Sequence, residues 1–255
     1  MISDLTSARS IEWGSGDKTI VFLHYFGGAA ESWTWVAQQL PDYRCVAINL
    51  PGFGNTFAPE QPSIVVYTRA AIAEIHRLGL KDYGLVGHSM GGKLALQVAI
   101  DTAGTDSAPR HVVLVAPSPP TTEPMPEAEK QRMLNNHPSP ENAETTLKSA
   151  AKADLTAEQR QVAIQTHMIV DDSAWRWWLR EGMNNSIADQ MDQLAVPVTV
   201  LAAKDDPVIP FNIIHSDVLG VIPGAKLEAI AGVGHLIPLE APDWVAAQLR
   251  QIMAA

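Results

Sequence analysis

One cysteine, Cys45, stands among 255 residues, so no disulfide can form within the chain. That scarcity is compatible with a reducing, cytoplasmic setting, and Cys45, in the apolar run Cys45-Val46-Ala47-Ile48, is expected to be a buried strand residue. Long hydrophobic stretches are missing too. None reaches the ~18–20 residues that cross a bilayer, so no membrane-spanning role is expected. The beginning, Met1-Ile2-Ser3-Asp4-Leu5, has neither a basic nor an apolar region, and no secretory signal is expected there. Positive charge is scarce: 18 Lys and Arg stand against 28 Asp and Glu, a formal net charge of −10. Nucleic acid and anionic membrane surfaces are thereby excluded as expected partners, because nothing would neutralise their phosphates, whereas a neutral small molecule is not disfavoured. No repeat recurs at solenoid or propeller spacing, and none of the eight histidines falls in a His-Glu-x-x-His or other metal-ligand spacing.

What is present is the balance of a globular protein, 46% hydrophobic and 18% charged, with enough chain for one large domain carrying an insertion. Short apolar runs alternate with helical patterns. Strands are predicted at Thr19 to Leu23, Tyr43 to Leu50, Tyr83 to Val86 and His111 to Ala116. Helices are predicted over 30–40, from Val65 to Leu78 (closed by Gly79), and from Lys93 to Ile100. Continuous apolar strands separated by helices imply an α/β fold, a mostly parallel central sheet with helices on both faces. The pattern then breaks. Residues 117–126 hold five prolines, too many for a helix or central strand, and residues 127–190 read as several short helices. Alternation resumes with strands at Val196 to Ala202 and Lys226 to Ile230 and helices over 211–222 and 241–253. The expected organisation is a core of residues 1–118 and 191–255, interrupted by a helical cap of residues 119–190.

The loudest local signal is Gly87-His88-Ser89-Met90-Gly91, which lies between a predicted strand and a predicted helix, the context a nucleophile elbow requires. Its physics is steric. A sharp turn holds the serine in a strained conformation, neighbours pack too closely for side chains at the two glycines, and a helix N-terminus stands behind the hydroxyl to favour developing negative charge. The elbow should aim the His88 side chain away from Ser89, so His88 is expected to pack. A serine hydroxyl needs an imidazole to take its proton, and that imidazole needs a carboxylate to hold its tautomer.

With its flanks, Leu85-Val86-Gly87-His88-Ser89-Met90-Gly91-Gly92-Lys93, the elbow resembles that of the α/β-hydrolase family, and further motifs follow in that family's order over nearly the whole chain, the insertion being the least constrained part. Gly232-Val233-Gly234-His235-Leu236, with Glu240-Ala241-Pro242 downstream, resembles the family's Gly-His loop and implies His235 as base, with Glu240 as a structural partner of the loop. Leu201-Ala202-Ala203-Lys204-Asp205-Asp206-Pro207-Val208-Ile209-Pro210 resembles the acid turn, with Ala203 where glycine is usual. It implies Asp206 as the acid, with Asp205 as competitor, and Ala116-Pro117-Ser118 offers no rival carboxylate. His24-Tyr25-Phe26-Gly27-Gly28 resembles the oxyanion loop, and family logic implies the backbone N–H groups of Phe26 and Met90 as oxyanion donors. Tyr25 departs from the usual glycine and is expected to reshape the loop or line the pocket, while His24 is expected to be structural. Asn49-Leu50-Pro51-Gly52-Phe53-Gly54 resembles a family turn with Asn49 replacing aspartate, a fold signature without a chemical role.

The resemblance implies a serine hydrolase that cleaves a carboxylic ester through an acyl-enzyme and needs no metal or organic cofactor. Ser89, where dehalogenases and epoxide hydrolases carry aspartate, argues against both. Thioester or carbon–carbon hydrolysis, perhydrolysis of the non-haem haloperoxidase type, a hydroxynitrile-lyase-like reaction with His235 as working base, and a small-molecule receptor with little turnover stay open, because a fold does not choose its chemistry. In the cap, Trp175 and Trp178 fall on one helical face. They are read either as packing or, as substrate-binding residues, as an apolar wall above Ser89. Met125, Met133, Met168, Met183, Trp33 and Trp35 are further wall candidates. Such a wall would favour an apolar ester as the small-molecule substrate.

Overall fold

In the computed structural model, which describes residues 9–254, seven strands form one sheet: β1 (Ser10–Trp13), β2 (Lys18–Leu23), β3 (Tyr43–Ile48), β4 (Tyr83–His88), β5 (His111–Val115), β6 (Val198–Ala203) and β7 (Lys226–Ile230). Residues 1–5, read above for a leader, lie outside the described residues. The order across the sheet is β1-β3-β2-β4-β5-β6-β7, parallel throughout except that β1 runs antiparallel to β3. Ten helices connect or cover it: α1 (Thr34–Gln38), α2 (Ile64–Arg77), α3 (Met90–Asp101), α4 (Glu127–Asn135), α5 (Pro140–Ala150), α6 (Ala157–Met168), α7 (Asp172–Arg180), α8 (Phe211–Ile213), α9 (Ile237–Glu240) and α10 (Pro242–Ala254).

Period-two alternation sends each central strand's side chains to two cores. Val21, Leu23, Leu85, Leu114 and Val200 pack on the side of α2 and α3, whereas Ile20, Phe22, Val86, Val113 and Leu201 pack on the side of α1 and α10. Both faces are therefore covered, which is why these strands read as unbroken apolar runs. Helix α3 is buried on nearly every side, and Cys45 is buried in β3. Helices α4 to α7 lie in sequence between β5 and β6, and residues 117–126 reach them without helix or strand. Among the described residues, no helix is long and apolar enough to cross a membrane.

Three local outcomes differ from the pattern-based expectations. Strand β1 was not anticipated; its four residues are too few to show a period, and its pairing with β3 creates it. The helix expected over 30–40 starts as a 3-10 turn over Ala30–Trp33, where the Asn49 side chain accepts the Ala30 N–H (2.8 Å). Asn49, expected to be a mere signature, thus anchors the loop after β2. The helix expected over 211–222 passes from α8 into a π-helical stretch, Ile214–Leu219, in which the Gly220 N–H reaches back five residues to the His215 carbonyl (3.0 Å).

The sheet order also locates a site. The chain leaves β2 toward β3 on one side, while β4 continues toward β5 on the other. The carboxyl ends of β2 and β4 therefore flank a topological switch point, where parallel sheets open a crevice. The loops that leave those two ends are His24 to Gly28 and the Ser89 turn.

Candidate active site

Ser89 follows β4 directly and has φ 52° and ψ −117°, a conformation side chains rarely adopt. The turn is held from both sides, by the Ser89 N–H on the Val115 carbonyl (3.0 Å) and by the Ser89 carbonyl, which accepts from Gly92 (2.8 Å) and Ser118 (3.0 Å). A Cβ at Gly87 would stand 2.2 Å from the Gly91 carbonyl oxygen, and one at Gly91 would stand 2.5 Å from that of Leu23. Both glycines are thus demanded by close backbone approach.

Ser89 Oγ lies 2.9 Å from His235 Nε2, and His235 Nδ1 lies 2.8 Å from Asp206 Oδ2. The other Asp206 oxygen accepts the N–H groups of Val208 (2.8 Å) and Ile209 (2.9 Å), which fixes the carboxylate plane. Asp205, the competitor, points elsewhere: its carboxylate accepts the Gly232 N–H at 2.8 Å. The structure therefore brings Asp206, and not Asp205, to the imidazole. Burial alone would depress the pKa of His235, but the charge and hydrogen bond of Asp206, joined by Glu123 and Glu240, outweigh it and leave the pKa above 6.5.

The neighbouring histidines stay neutral. His88 points beneath the His235 loop and donates from Nε2 to the His235 carbonyl (2.8 Å); burial, reinforced by His235, pushes its pKa well below 6.5. His24 donates from Nδ1 to the Tyr25 carbonyl (2.9 Å) and accepts the Leu50 N–H on Nε2 (3.2 Å), and burial lowers its pKa to about 4. Both serve the loops rather than the reaction.

The His235 loop is fastened to the helices inserted between β5 and β6. The His235 N–H donates to the Ala150 carbonyl at the end of α5 (2.8 Å). Glu240 Oε2 accepts from Gly234 (2.8 Å), Lys152 (2.7 Å) and Ala153 (2.7 Å), and Oε1 accepts from Leu236 (3.0 Å). Four amides on one carboxylate make Glu240 the knot between this loop and the segment after α5. Glu240→Ala is expected to lower stability by about 2–3 kcal/mol, roughly 5–10 °C in Tm. Thermal denaturation checks it, and an unchanged Tm would contradict the knot.

Above Ser89 lies a cavity of about 230 Å³, lined by Tyr25, Phe26, Met125, Met133, Trp178 and apolar residues of α5 and α6. Tyr25 packs against Leu147, Ala150, Ala163 and Leu236, so its side chain is pocket wall as well as loop anchor. The Phe26 ring stacks on Trp175 at 4.3 Å between centroids. Of the two tryptophans read either as packing or as cavity wall, Trp178 lines the cavity and Trp175 does not, so the packing reading describes Trp175. It is fully buried between Phe26 and His137, with its indole N–H on the Met133 carbonyl (3.0 Å). Phe26 occupies the position in front of it. Met168, Met183, Trp33 and Trp35 do not line the cavity either. The Phe26 and Met90 N–H groups, unlike those of Gly28 and Gly92, form no hydrogen bond to another group among the described residues.

Two residues were not foreseen. Glu123 lines the cavity although it is buried. Lys93, fully buried on α3, donates to the carbonyls of Thr121 (3.0 Å) and Asn185 (2.9 Å), with that of Met183 at 3.4 Å, and so ties the helix behind Ser89 to the segments before α4 and after α7. Burial lowers its pKa to about 8, against the pull of Glu123. Lys93 stood in the quoted elbow flank, but nothing local showed what it would meet. Among the described residues, no group of three or more histidine, cysteine, aspartate or glutamate side chains could hold a metal ion.

The sequence model described as "Alpha/beta hydrolase family" matches residues 20–248. The chain is 25% identical over 263 aligned positions to the 2-succinyl-6-hydroxy-2,4-cyclohexadiene-1-carboxylate synthase of Serratia proteamaculans, covering 98% of each. It is 26% identical over 246 positions to a 2-hydroxy-6-oxononadienedioate/2-hydroxy-6-oxononatrienedioate hydrolase of Pseudomonas sp, covering 90% of this chain and 86% of that protein. An esterase from Exiguobacterium antarcticum superposes with a TM-score of 0.87 at 17% identity, over 96% of this chain and 95% of that one, a likeness of fold.

Proposed function

The chain belongs to the alpha/beta hydrolase family, and from that premise we propose that it is a serine esterase acting on neutral carboxylic esters with an apolar acyl or alcohol group. The observation that carries this reading is the unbroken Asp206–His235–Ser89 chain of hydrogen bonds on the floor of a largely apolar cavity. In this reading Ser89 passes its proton to His235 Nε2 and attacks the ester carbonyl. The N–H groups of Met90 and Phe26 receive the oxyanion, at roughly 3 kcal/mol each by analogy with comparable sites. His235 returns the proton to the leaving alcohol, and water activated by the same imidazole then releases the acid. No metal or organic cofactor enters these steps. The division into a core of residues 1–118 and 191–255 and a cap of residues 119–190 belongs to the same proposal, as does a cytoplasmic location.

The names of the two sequence relatives contain a carboxylate and a dioate. Among the described residues no lysine or arginine lines this cavity, and of the two carboxyl side chains that do, Glu129 is paired with Arg132 while Glu123 is not. A dianionic substrate would find no countercharge there, which favours a neutral ester over carbon–carbon cleavage of a dioate. Hydrolysis of p-nitrophenyl esters over a chain-length series tests the reading. Turnover with covalent labelling of Ser89 by a fluorophosphonate is expected; faster cleavage of the Pseudomonas hydrolase's dioate than of any ester would sink it.

The pH dependence has a definite sign. His235 must be neutral to act as base, and its pKa is raised above 6.5. The acid limb of kcat/KM is therefore expected above pH 6.5, with activity lost as pH falls through it. A limb below pH 6.5 would contradict the Asp206–His235 electrostatics.

A further inference from the structure

His167, on α6, lines the cavity that Ser89 opens into, and the proposed reaction gives it no task. Its imidazole is held on two sides. The ring meets Trp175 edge to face, 4.6 Å between centroids, and Nε2 faces the Asn142 amide nitrogen of α5 at 3.4 Å. The next partner along decides which ring nitrogen carries the proton. Arg132 has only donors to offer, and one of them goes to Asn142 Oδ1. That oxygen is therefore turned to Arg132 and the NH2 group to His167, so Nε2 must accept and Nδ1 must bear the hydrogen. Arg132 is itself fixed by Glu129, its Nε lying 2.8 Å from Glu129 Oε2. Burial, reinforced by His137 and Arg132, lowers the His167 pKa to about 3, so the ring is neutral and keeps this one tautomer.

The Nδ1–H group meets no acceptor among the described residues. His137 Nδ1 lacks a partner too, but it is sealed in the packing, and His167 Nδ1 is not. The residue is only 5% exposed and stands on the cavity wall, so what Nδ1 opens to is the cavity. A neighbouring loop fixes its place: a Cβ at Gly27 would stand 3.2 Å from Nδ1. The donor thus lies beside the oxyanion loop, one residue from Phe26. An apolar chain filling the cavity would strip this N–H of water and leave it unpaired, whereas a ligand oxygen would satisfy it. A carboxylate could accept as well, but the neutral ring offers no countercharge, and Glu123 and Glu129 line the same cavity. An uncharged oxygen fits.

We propose that His167 Nδ1–H is a specificity-determining donor for a second carbonyl oxygen of the substrate, so that esters carrying a further carbonyl close to the scissile group are selected over hydrocarbon esters of equal length. The inference rests on the ester reading and deepens it, by naming the polar feature of an otherwise apolar substrate.

Binding tests it without turnover. In Ser89→Ala protein, 2-octanone and 2,5-, 2,6- and 2,7-octanedione are titrated by calorimetry, the shared methyl ketone standing in for the ester carbonyl. At least one dione is expected to bind about tenfold tighter than 2-octanone. Adding His167→Phe, which keeps a ring and removes the donor, should erase that gap and leave 2-octanone binding within about twofold. His167→Asn, whose amide nitrogen can fall where Nδ1 stands, should keep part of the gap. If these variants do not fold, nitrogen-15 labelling of the histidines carries the test: the His167 Nδ1 resonance of the Ser89→Ala protein should shift with the tight dione and not with 2-octanone. No preference for any dione, a gap that survives His167→Phe, or an Nδ1 resonance that ignores the dione overturns the proposal. Wild-type protein that hydrolyses no ester, together with a dione preference that His167→Phe removes, would sink the esterase reading and leave this donor standing.

Discussion

Ser89→Ala is expected to lower kcat for p-nitrophenyl esters by about five to six orders of magnitude and to abolish fluorophosphonate labelling, with Tm unchanged. The alanine removes the attacking oxygen and keeps the same backbone turn, so catalysis goes and stability stays. Ser89→Gly separates the two further. Ser89 sits at φ 52°, where a Cβ is strained and glycine is not. The glycine variant should be as inactive as the alanine variant yet more stable, by about 1–2 kcal/mol. Activity within tenfold of wild type in Ser89→Ala would refute the nucleophile. A glycine variant no more stable than the alanine variant would show that the turn stores no strain.

Asp206→Asn is expected to lower kcat by about four orders of magnitude, and Asp205→Asn to leave it within a few-fold. The geometry gives the reason. The Asp206 oxygen that accepts from Val208 and Ile209 keeps its amides when asparagine replaces it, so the new NH2 group faces His235 Nδ1. An amide N–H there stabilises the tautomer with its proton on Nε2, the nitrogen that must accept from Ser89. The charge that raises the His235 pKa also disappears while burial remains, so the acid limb of any residual activity should move to lower pH. Asp205 has no such leverage. It holds the Gly232 amide and is partly exposed beside Lys152, so its loss slackens the loop without touching the imidazole. Equal losses in the two variants would overturn the assignment of the acid.

The parts of this protein legible in its sequence are those whose constraints are local. The elbow is one, because Gly87 and Gly91 answer backbone contacts made within the turn and the strand beside it. The parallel sheet is another, since burial on both faces writes continuous apolar runs. Asp206 and His235 were legible only through resemblance and chain order; 29 positions apart, they meet because β6 and β7 end side by side. Helical phase put Trp175 and Trp178 on a common face but could not say that the Phe26 ring, from a loop far earlier in the chain, would stand between Trp175 and the cavity. Lys93 and Glu123 were illegible for the same reason. What makes each unusual is burial against segments far away in the chain, and a lysine in a helix or a glutamate among prolines carries no trace of that.

A chimera that exchanged residues 119–190 for a foreign helical segment would have to replace more than a cavity wall. The His235 amide hangs on Ala150, and Glu240 grips the amides of Lys152 and Ala153, so the graft would unseat the imidazole even with every residue of the sheet retained. Recombination within this scaffold therefore has a linkage rule: residues 150–153 and 232–240 must be inherited together. Point substitution inside the cavity is free of that rule, which makes it the shorter evolutionary path to a new substrate.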